Sequence, residues 1–131
     1  MKKIVAIAGS LAIAGLFSLP AFAQGGGGGR FRGFTEQGGE ALYKNICQGC
    51  HMPNAMGGVG AGAYPALAKN PKLEVAGYPI SVVVNGQKAM PAFGPMLSDQ
   101  QIADVINYVR THFGNNYKDA VKPADVKAAR P

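Results

Sequence analysis

The chain has 131 residues, with 13 Lys and Arg against 7 Asp and Glu and a formal charge of +6. That length suits one compact domain and excludes two. The basic residues are dispersed rather than clustered, which excludes a nucleic-acid surface of the usual kind.

Met1, Lys2 and Lys3 make a positive start, Ile4 to Leu19 an uncharged apolar run, and Ala21-Phe22-Ala23 a small-residue cleavage pattern before Gln24. Together they predict a secretory signal peptide over residues 1–23. A retained helical anchor is the alternative, since Ile4 to Ala23 is long enough to span a bilayer. The small residues after Pro20 favour cleavage, and with it no stable membrane insertion. No Cys stands near that point, so a lipoprotein is not expected, and Lys2-Lys3 is not a twin-arginine pair. Losing Lys2 and Lys3 lowers the charge from +6 to +4 over a mature chain of residues 24–131.

Residues 24–35 read as a flexible lead built on the glycine run Gly25 to Gly29, whose ordering entropy is prohibitive. Arg30-Phe31-Arg32-Gly33-Phe34 fits either a mobile tail or a docking segment. A first helix is predicted from Gly39 to Ile46, with Leu42, Tyr43 and Ile46 on its apolar side. Gly39 is costly inside a helix unless another element packs closely there, and a helix crossing at Tyr108 would explain it.

That helix leads into Cys47-Gln48-Gly49-Cys50-His51, which holds both cysteines of the chain. Two thiols so spaced can add across the two vinyl groups of one haem edge, and the adjacent His51 then offers an imidazole to the iron. A disulfide across so short a loop would be strained. A zinc site would need a fourth ligand, with His112 the only other histidine. A thioredoxin-like pair would need a βαβ setting that is missing. One covalently attached haem c with its iron is therefore the expected cofactor. Export agrees, because bacteria attach haem outside the cytoplasm.

Further along, Gly57 to Leu67 is a glycine-rich loop ending Tyr64-Pro65-Ala66-Leu67, able to fold over a haem. A ligating imidazole needs an acceptor for its other ring nitrogen, and the Pro65 carbonyl is the candidate; a plain turn proline is the alternative. Tyr78 to Val84 is ambiguous. Val82-Val83-Val84 favours a strand, while Pro79 near a helix start and Asn85-Gly86 at the end favour a short helix.

For the second iron ligand, Met52 and Met56 follow His51 too closely, leaving Met90 and Met96, which stand 39 and 45 residues downstream. Pro91 restricts Met90 to an extended conformation that suits a loop presenting its side chain inward. Met96 precedes Leu97 and a helix start, where an apolar residue usually acts as a staple. The absence of any Met ligand stays open, and His112 reads better as a residue near a helix C-terminus. The clearest helix runs from Asp99 to Phe113, with Ser98 and Gln101 as a capping box, an apolar stripe of Ile102, Val105, Ile106, Val109 and Phe113, and Gly114 at C′. With so few strand patterns, the ordered domain over 36–114 should be mainly helical and wrapped round the haem, followed by a C-terminal tail over 115–131.

These residues resemble the class I c-type cytochromes over 36–114. Gly39-Glu40-Ala41-Leu42-Tyr43 with Cys47 to His51 is similar to the family's first helix and haem site. Tyr64-Pro65-Ala66-Leu67 is similar to its proline loop, Met90-Pro91-Ala92-Phe93 to its ligand loop, and Leu97-Ser98-Asp99 to Tyr108-Val109-Arg110 to its last helix. The resemblance implies an all-α class I cytochrome c fold, His51 and Met90 as axial ligands, a helix at Tyr78 to Val84, and a meeting of Gly39 with Tyr108. Gly114-Asn115-Asn116-Tyr117 and Val121 to Arg130 are similar, more narrowly, to cytochrome domains serving periplasmic dehydrogenases and reductases.

The function so implied is single-electron shuttling between periplasmic redox proteins, such as a dehydrogenase or a terminal oxidase. A thioether ligand favours ferrous iron, and Leu67, Val83 and Phe93 are expected to keep water from the haem pocket. With both axial positions filled, no catalysis is expected of the chain itself. Lys44, Lys69, Lys72 and Lys88 read either as steering charges for an acidic partner or as ordinary solvated charges. The alternatives are a tightly bound electron-accepting subunit of a dehydrogenase, and a haem enzyme or gas sensor with an open iron position.

Overall fold

The structure is a computed structural model that describes residues 33–60 and 62–131; the expected signal peptide and most of the glycine-rich lead lie outside the described residues. The first helical stretch is continuous from Gly39 to His51: α1 (Gly39–Leu42), a π-helical turn (Tyr43–Cys47) and α2 (Gln48–His51). It therefore carries both cysteines and the histidine, running five residues beyond the expected end at Ile46. Single π turns of this kind are frequent at functional sites. Leu42 and Tyr43 are fully buried, and Ile46 packs against the core.

A two-stranded hairpin follows, β1 (Gly58–Val59) antiparallel to β2 (Ala63–Tyr64), with Gly58 opposite Tyr64. After a 3₁₀ turn at Pro71–Leu73, α3 spans Gly77–Asn85. The valine run that favours a strand is thus helical. Pro79, Ile80 and Val84 form its buried face, and Pro79 sits in the first turn, where no intrahelical N–H bond is lost. Tertiary burial at helical spacing overrides the local β-propensity.

α4 spans Asp99–Thr111. Ser98 Oγ accepts from Gln101 N at 3.2 Å and Gln101 Oε1 accepts from Ser98 N at 2.9 Å, completing the expected capping box. The same glutamine turns outward from the box and donates to Phe34 O and Glu36 O at 2.7 and 3.0 Å, tying the incoming chain to the helix start. The helix ends two residues before the expected Phe113. His112 is extended and Phe113 takes a left-handed φ of 58°, which swings its ring to 4.8 Å from that of Tyr43. Core packing of that ring outweighs one more helical residue.

α1 crosses α4 at Gly39. A Cβ there would meet the Asp104 carbonyl and fall 2.5 Å from Tyr108 Cβ, so only glycine lets the helices approach this closely. The core fills the space between α1, α3 and α4 with Leu42, Ile80, Ile102, Val105 and Ile106. The mainly helical architecture is the one expected, with strands confined among the described residues to the short hairpin.

Residues 115–131 are the segment expected as a C-terminal tail. They fold back along α4 and include α5 (Pro123–Ala128), with Val121 and Val126 buried in the core. Asn107 Nδ2 donates to Val121 O at 2.9 Å and its Oδ1 accepts from Val121 N at 2.8 Å. Arg130 binds Asp99 Oδ1, Gly94 O and Leu97 O. Arg110, 1% exposed, donates to the carbonyls of Leu73, Glu74 and Asp119 and to Asp119 Oδ1. The polar composition of this segment hides its packing, because it is fastened by side chains of α4 rather than by an apolar stripe of its own.

Candidate functional site

The helical stretch stops where Met52 takes a φ of 67°, and the chain reverses immediately. Three bonds close the turn: Tyr43 Oη donates to Met52 O at 2.7 Å, Ala55 N to Met52 O at 3.0 Å, and Gly57 N to His51 O at 3.1 Å. Ala55 is fully buried, and its carbonyl accepts from both Leu67 N and Ala68 N, at 2.8 and 2.9 Å. At Gly57, φ is 67° and a Cβ would strike the Tyr64 carbonyl, so the two limbs of the loop pass in contact.

This closure delivers the Pro65 carbonyl to 3.0 Å from Nδ1 of His51, whose side chain is buried. A carbonyl can only accept, so Nδ1 carries a proton, and in the neutral ring Nε2 keeps the lone pair. That is the tautomer a metal-binding imidazole requires.

Cys47 closes the π turn half-buried, Cys50 stands exposed one helical turn on, and both are free thiols. Burial pushes the Cys47 thiol up to about 12, and the neighbouring Cys50 adds to the shift. A thiolate redox pair needs a lowered value, and the shift at Cys47 runs the other way. Among the described residues no group of three or more His, Cys, Asp and Glu is placed to hold a metal ion. The donor set fits a haem bonded through two sulfurs with an imidazole on its iron.

Met90 lies on a separate segment. α3 ends at Gly86 with φ 74°, where a Cβ would fall 2.7 Å from Met90 O, and the chain makes a tight turn. Gln87 N donates to Met90 O at 3.0 Å and Met90 N to Gln87 O at 2.9 Å. The segment is then strapped along the end of α3 by Phe93 N to Val83 O and Gly94 N to Val84 O, at 2.9 and 3.1 Å. Met90 is half-buried. Met96 belongs to the next turn, its N donating to Phe93 O, and is also half-buried. Leu67, Val83 and Phe93 are partly buried against the core. His112 is exposed, with Nδ1 2.8 Å from Tyr108 O and its ring stacked on Tyr108. The structure thus brings His51 and Pro65 together, while the backbone of Met90 is bonded to Gln87 and the residues just after it, Phe93 and Gly94, are fastened to α3.

Two further residues join the site from behind. Asn115 and Asn70 bind the backbone of the loop that follows Pro65. Neither is assigned a place at the site from the sequence, and the folded chain shows what each holds.

Residues 35–109 match the family described as cytochrome C oxidase, cbb3-type, subunit III. The chain is similar to the gluconate 2-dehydrogenase cytochrome c subunit of Pantoea cypripedii, 31% identical over 112 residues that cover 76% of this chain and 25% of that protein. It is similar to the cytochrome c subunit of the quinone alcohol dehydrogenase of Gluconacetobacter polyoxogenes, 38% identical over 106 residues, 70% of this chain and 22% of that one. It is also similar to a cytochrome c6 of Picosynechococcus, 34% identical over 129 residues, covering 88% of this chain and 98% of the relative. The chain therefore spans about a quarter of the dehydrogenase subunits, at 25% and 22%, and nearly the whole of the cytochrome c6.

Proposed function

The chain belongs to the c-type cytochromes, electron-transfer domains that carry covalent haem c, and from that membership we propose that Cys47 and Cys50 would hold one haem, with His51 and Met90 as the ligands of its iron. When bound, the haem supplies a one-electron ferric–ferrous couple in which no bond is made or broken.

The chain's own residues have separable tasks in this reading. Cys47 and Cys50 tether the cofactor at the end of the first helical stretch. Pro65 orients His51 and raises its basicity by accepting the Nδ1 proton, which leaves Nε2 for the metal. Met90 offers a thioether, which favours the ferrous form. Leu67, Val83 and Phe93 exclude water on the apolar side. The observation that carries the reading is the 3.0 Å bond from His51 to the Pro65 carbonyl, one residue from Cys50.

With His51 and Met90 both holding the iron, the chain would have no catalysis of its own. It passes electrons to and from periplasmic partners, a dehydrogenase or a terminal oxidase, across a small transient contact of under roughly 1,200 Å². Lys69, Lys72 and Lys88 are exposed and available to steer an acidic partner, while Lys44 is engaged with Glu40 at 2.7 Å. Among the described residues no helix is long and apolar enough to cross a membrane. Residues 1–23 would deliver the chain to the periplasm and be removed.

The test is to express the full chain in cells that mature c-type cytochromes. The purified protein should be coloured and heavier than the bare polypeptide by one haem. The ferric form should show the weak far-red sulfur-to-iron band, lost in Met90→Ala; persistence of the band would move the ligand to Met96. The ferrous form should bind carbon monoxide slowly, and rapid binding would instead support an enzyme or gas sensor with an open iron position. A second reading is favoured by the dehydrogenase relatives: a tightly held electron-accepting subunit of one such enzyme. Co-purification with a dehydrogenase would select it over a free carrier.

A further inference from the structure

Pro65 is held to His51 from one side, and the loop beyond it is clamped from the other by the segment after α4. Asn115, 6% exposed, donates from Nδ2 to Leu67 O and to Val109 O, both at 2.8 Å, and accepts the Asn70 N–H at 2.9 Å. Asn70 Nδ2 donates to Ala66 O at 2.6 Å. Tyr117 Oη donates to Asn70 O at 3.1 Å, and Lys69 N to Phe113 O at 3.2 Å. Two consecutive carbonyls after Pro65, those of Ala66 and Leu67, are therefore fixed by asparagine side chains.

The Pro65 carbonyl turns only with ψ of Pro65 and φ of Ala66, because its peptide unit is planar; with the Ala66 and Leu67 carbonyls held, any such turn must be compensated within those two dihedrals. We infer that Asn115 and Asn70 are positioning residues for His51: by fixing the Ala66 and Leu67 carbonyls they fix the direction of the Pro65 carbonyl, and through it the orientation and basicity of the imidazole. The inference rests on His51 being the iron ligand. Loosening the clamp weakens the bond to Nδ1, lowers the donor strength of the ring, and so favours the ferrous form.

The experiment uses the full-length holoprotein and three variants. Asn115→Ala removes the clamp at Leu67. Asn70→Ser removes the donor to Ala66 but keeps a side-chain oxygen for the Lys72 N–H that Asn70 caps at 3.0 Å. Asn107→Ala is the control, because it frees Val121 from α4 without touching the loop after Pro65. In the first two variants the NMR signal of the His51 Nδ1 proton should move upfield and exchange faster with solvent. The ferrous-to-ferric ratio at a fixed ambient potential should rise by roughly two- to tenfold, the range spanned by one neutral hydrogen bond. In Asn107→Ala both readouts should stay at the wild-type values although the melting temperature falls.

Unchanged readouts in Asn115→Ala and Asn70→Ser, or an equal shift in Asn107→Ala, would overturn the inference. If Asn115→Ala yields no folded protein, Asn70→Ser decides alone. Failure of the underlying haem reading would be visible earlier, as a colourless wild-type chain.

Discussion

A Cβ on Gly39 would stand 2.5 Å from Tyr108 Cβ, with the Asp104 carbonyl nearer still, so Gly39→Ala must push α1 away from α4. Overpacking of this kind costs about 1–3 kcal/mol, and we expect a urea midpoint lowered accordingly. The glycine is legible in the sequence as a costly residue for a helix, and its meeting with Tyr108 is what the family resemblance implies. A second residue-scale expectation concerns Asp119. The hydrogen bond from Arg110 holds its carboxyl below the usual carboxylate range. A lowered value contributes stability that is present above the ordinary carboxylate pKa and disappears as pH falls through the lowered one. Asp119→Asn should therefore melt below the wild type at neutral pH, with the gap closing on acidification. A gap independent of pH would show that the charge contributes nothing.

At the scale of elements, α4 is the most legible, since its cap, stripe and stop are all local. Ser98→Ala should cost about 1 kcal/mol and speed amide exchange at Gln101 and Ile102, leaving the far end of the helix protected. The C-terminal boundary is less legible: Phe113 continues the apolar stripe, yet its ring is drawn to Tyr43, a contact that no local pattern encodes. α3 is undecidable from propensity because its valines suit both states, and burial of Pro79, Ile80 and Val84 settles it. α5 escapes sequence reasoning altogether. It spans Pro123–Ala128 and buries one residue, Val126, too little for any periodicity to register. Around the proposed site, Cys47, Cys50 and His51 are legible because three residues of two rare types stand together, and Pro65 because a ligating imidazole would demand an acceptor. Asn70 and Asn115 are not, because their partners lie in the backbone of distant segments.

The whole molecule is closed by the return of residues 115–131 over α4, and Arg110 is the centre of that closure. Arg110→Leu would leave the buried Leu73 carbonyl and the part-buried Glu74 and Asp119 carbonyls without this donor. The buried orphan alone costs about 1–3 kcal/mol, so a loss of at least that size is expected in equilibrium unfolding, with the 71–74 turn and the 117–121 segment exchanging first by hydrogen exchange. The fastening has a further consequence. Arg110, Asn115, Asn107 and Arg130 address mainly main-chain oxygens, those of Leu73, Glu74, Asp119, Leu67, Val109, Val121, Gly94 and Leu97. Every amino acid offers that oxygen. Replacement of an acceptor residue keeps the bond as far as its own packing allows, whereas no other side chain reproduces the fork of Arg110 or the paired donor and acceptor of Asn115. Tolerance to substitution is therefore lopsided: four donors must be kept, and the residues they grip are free to drift.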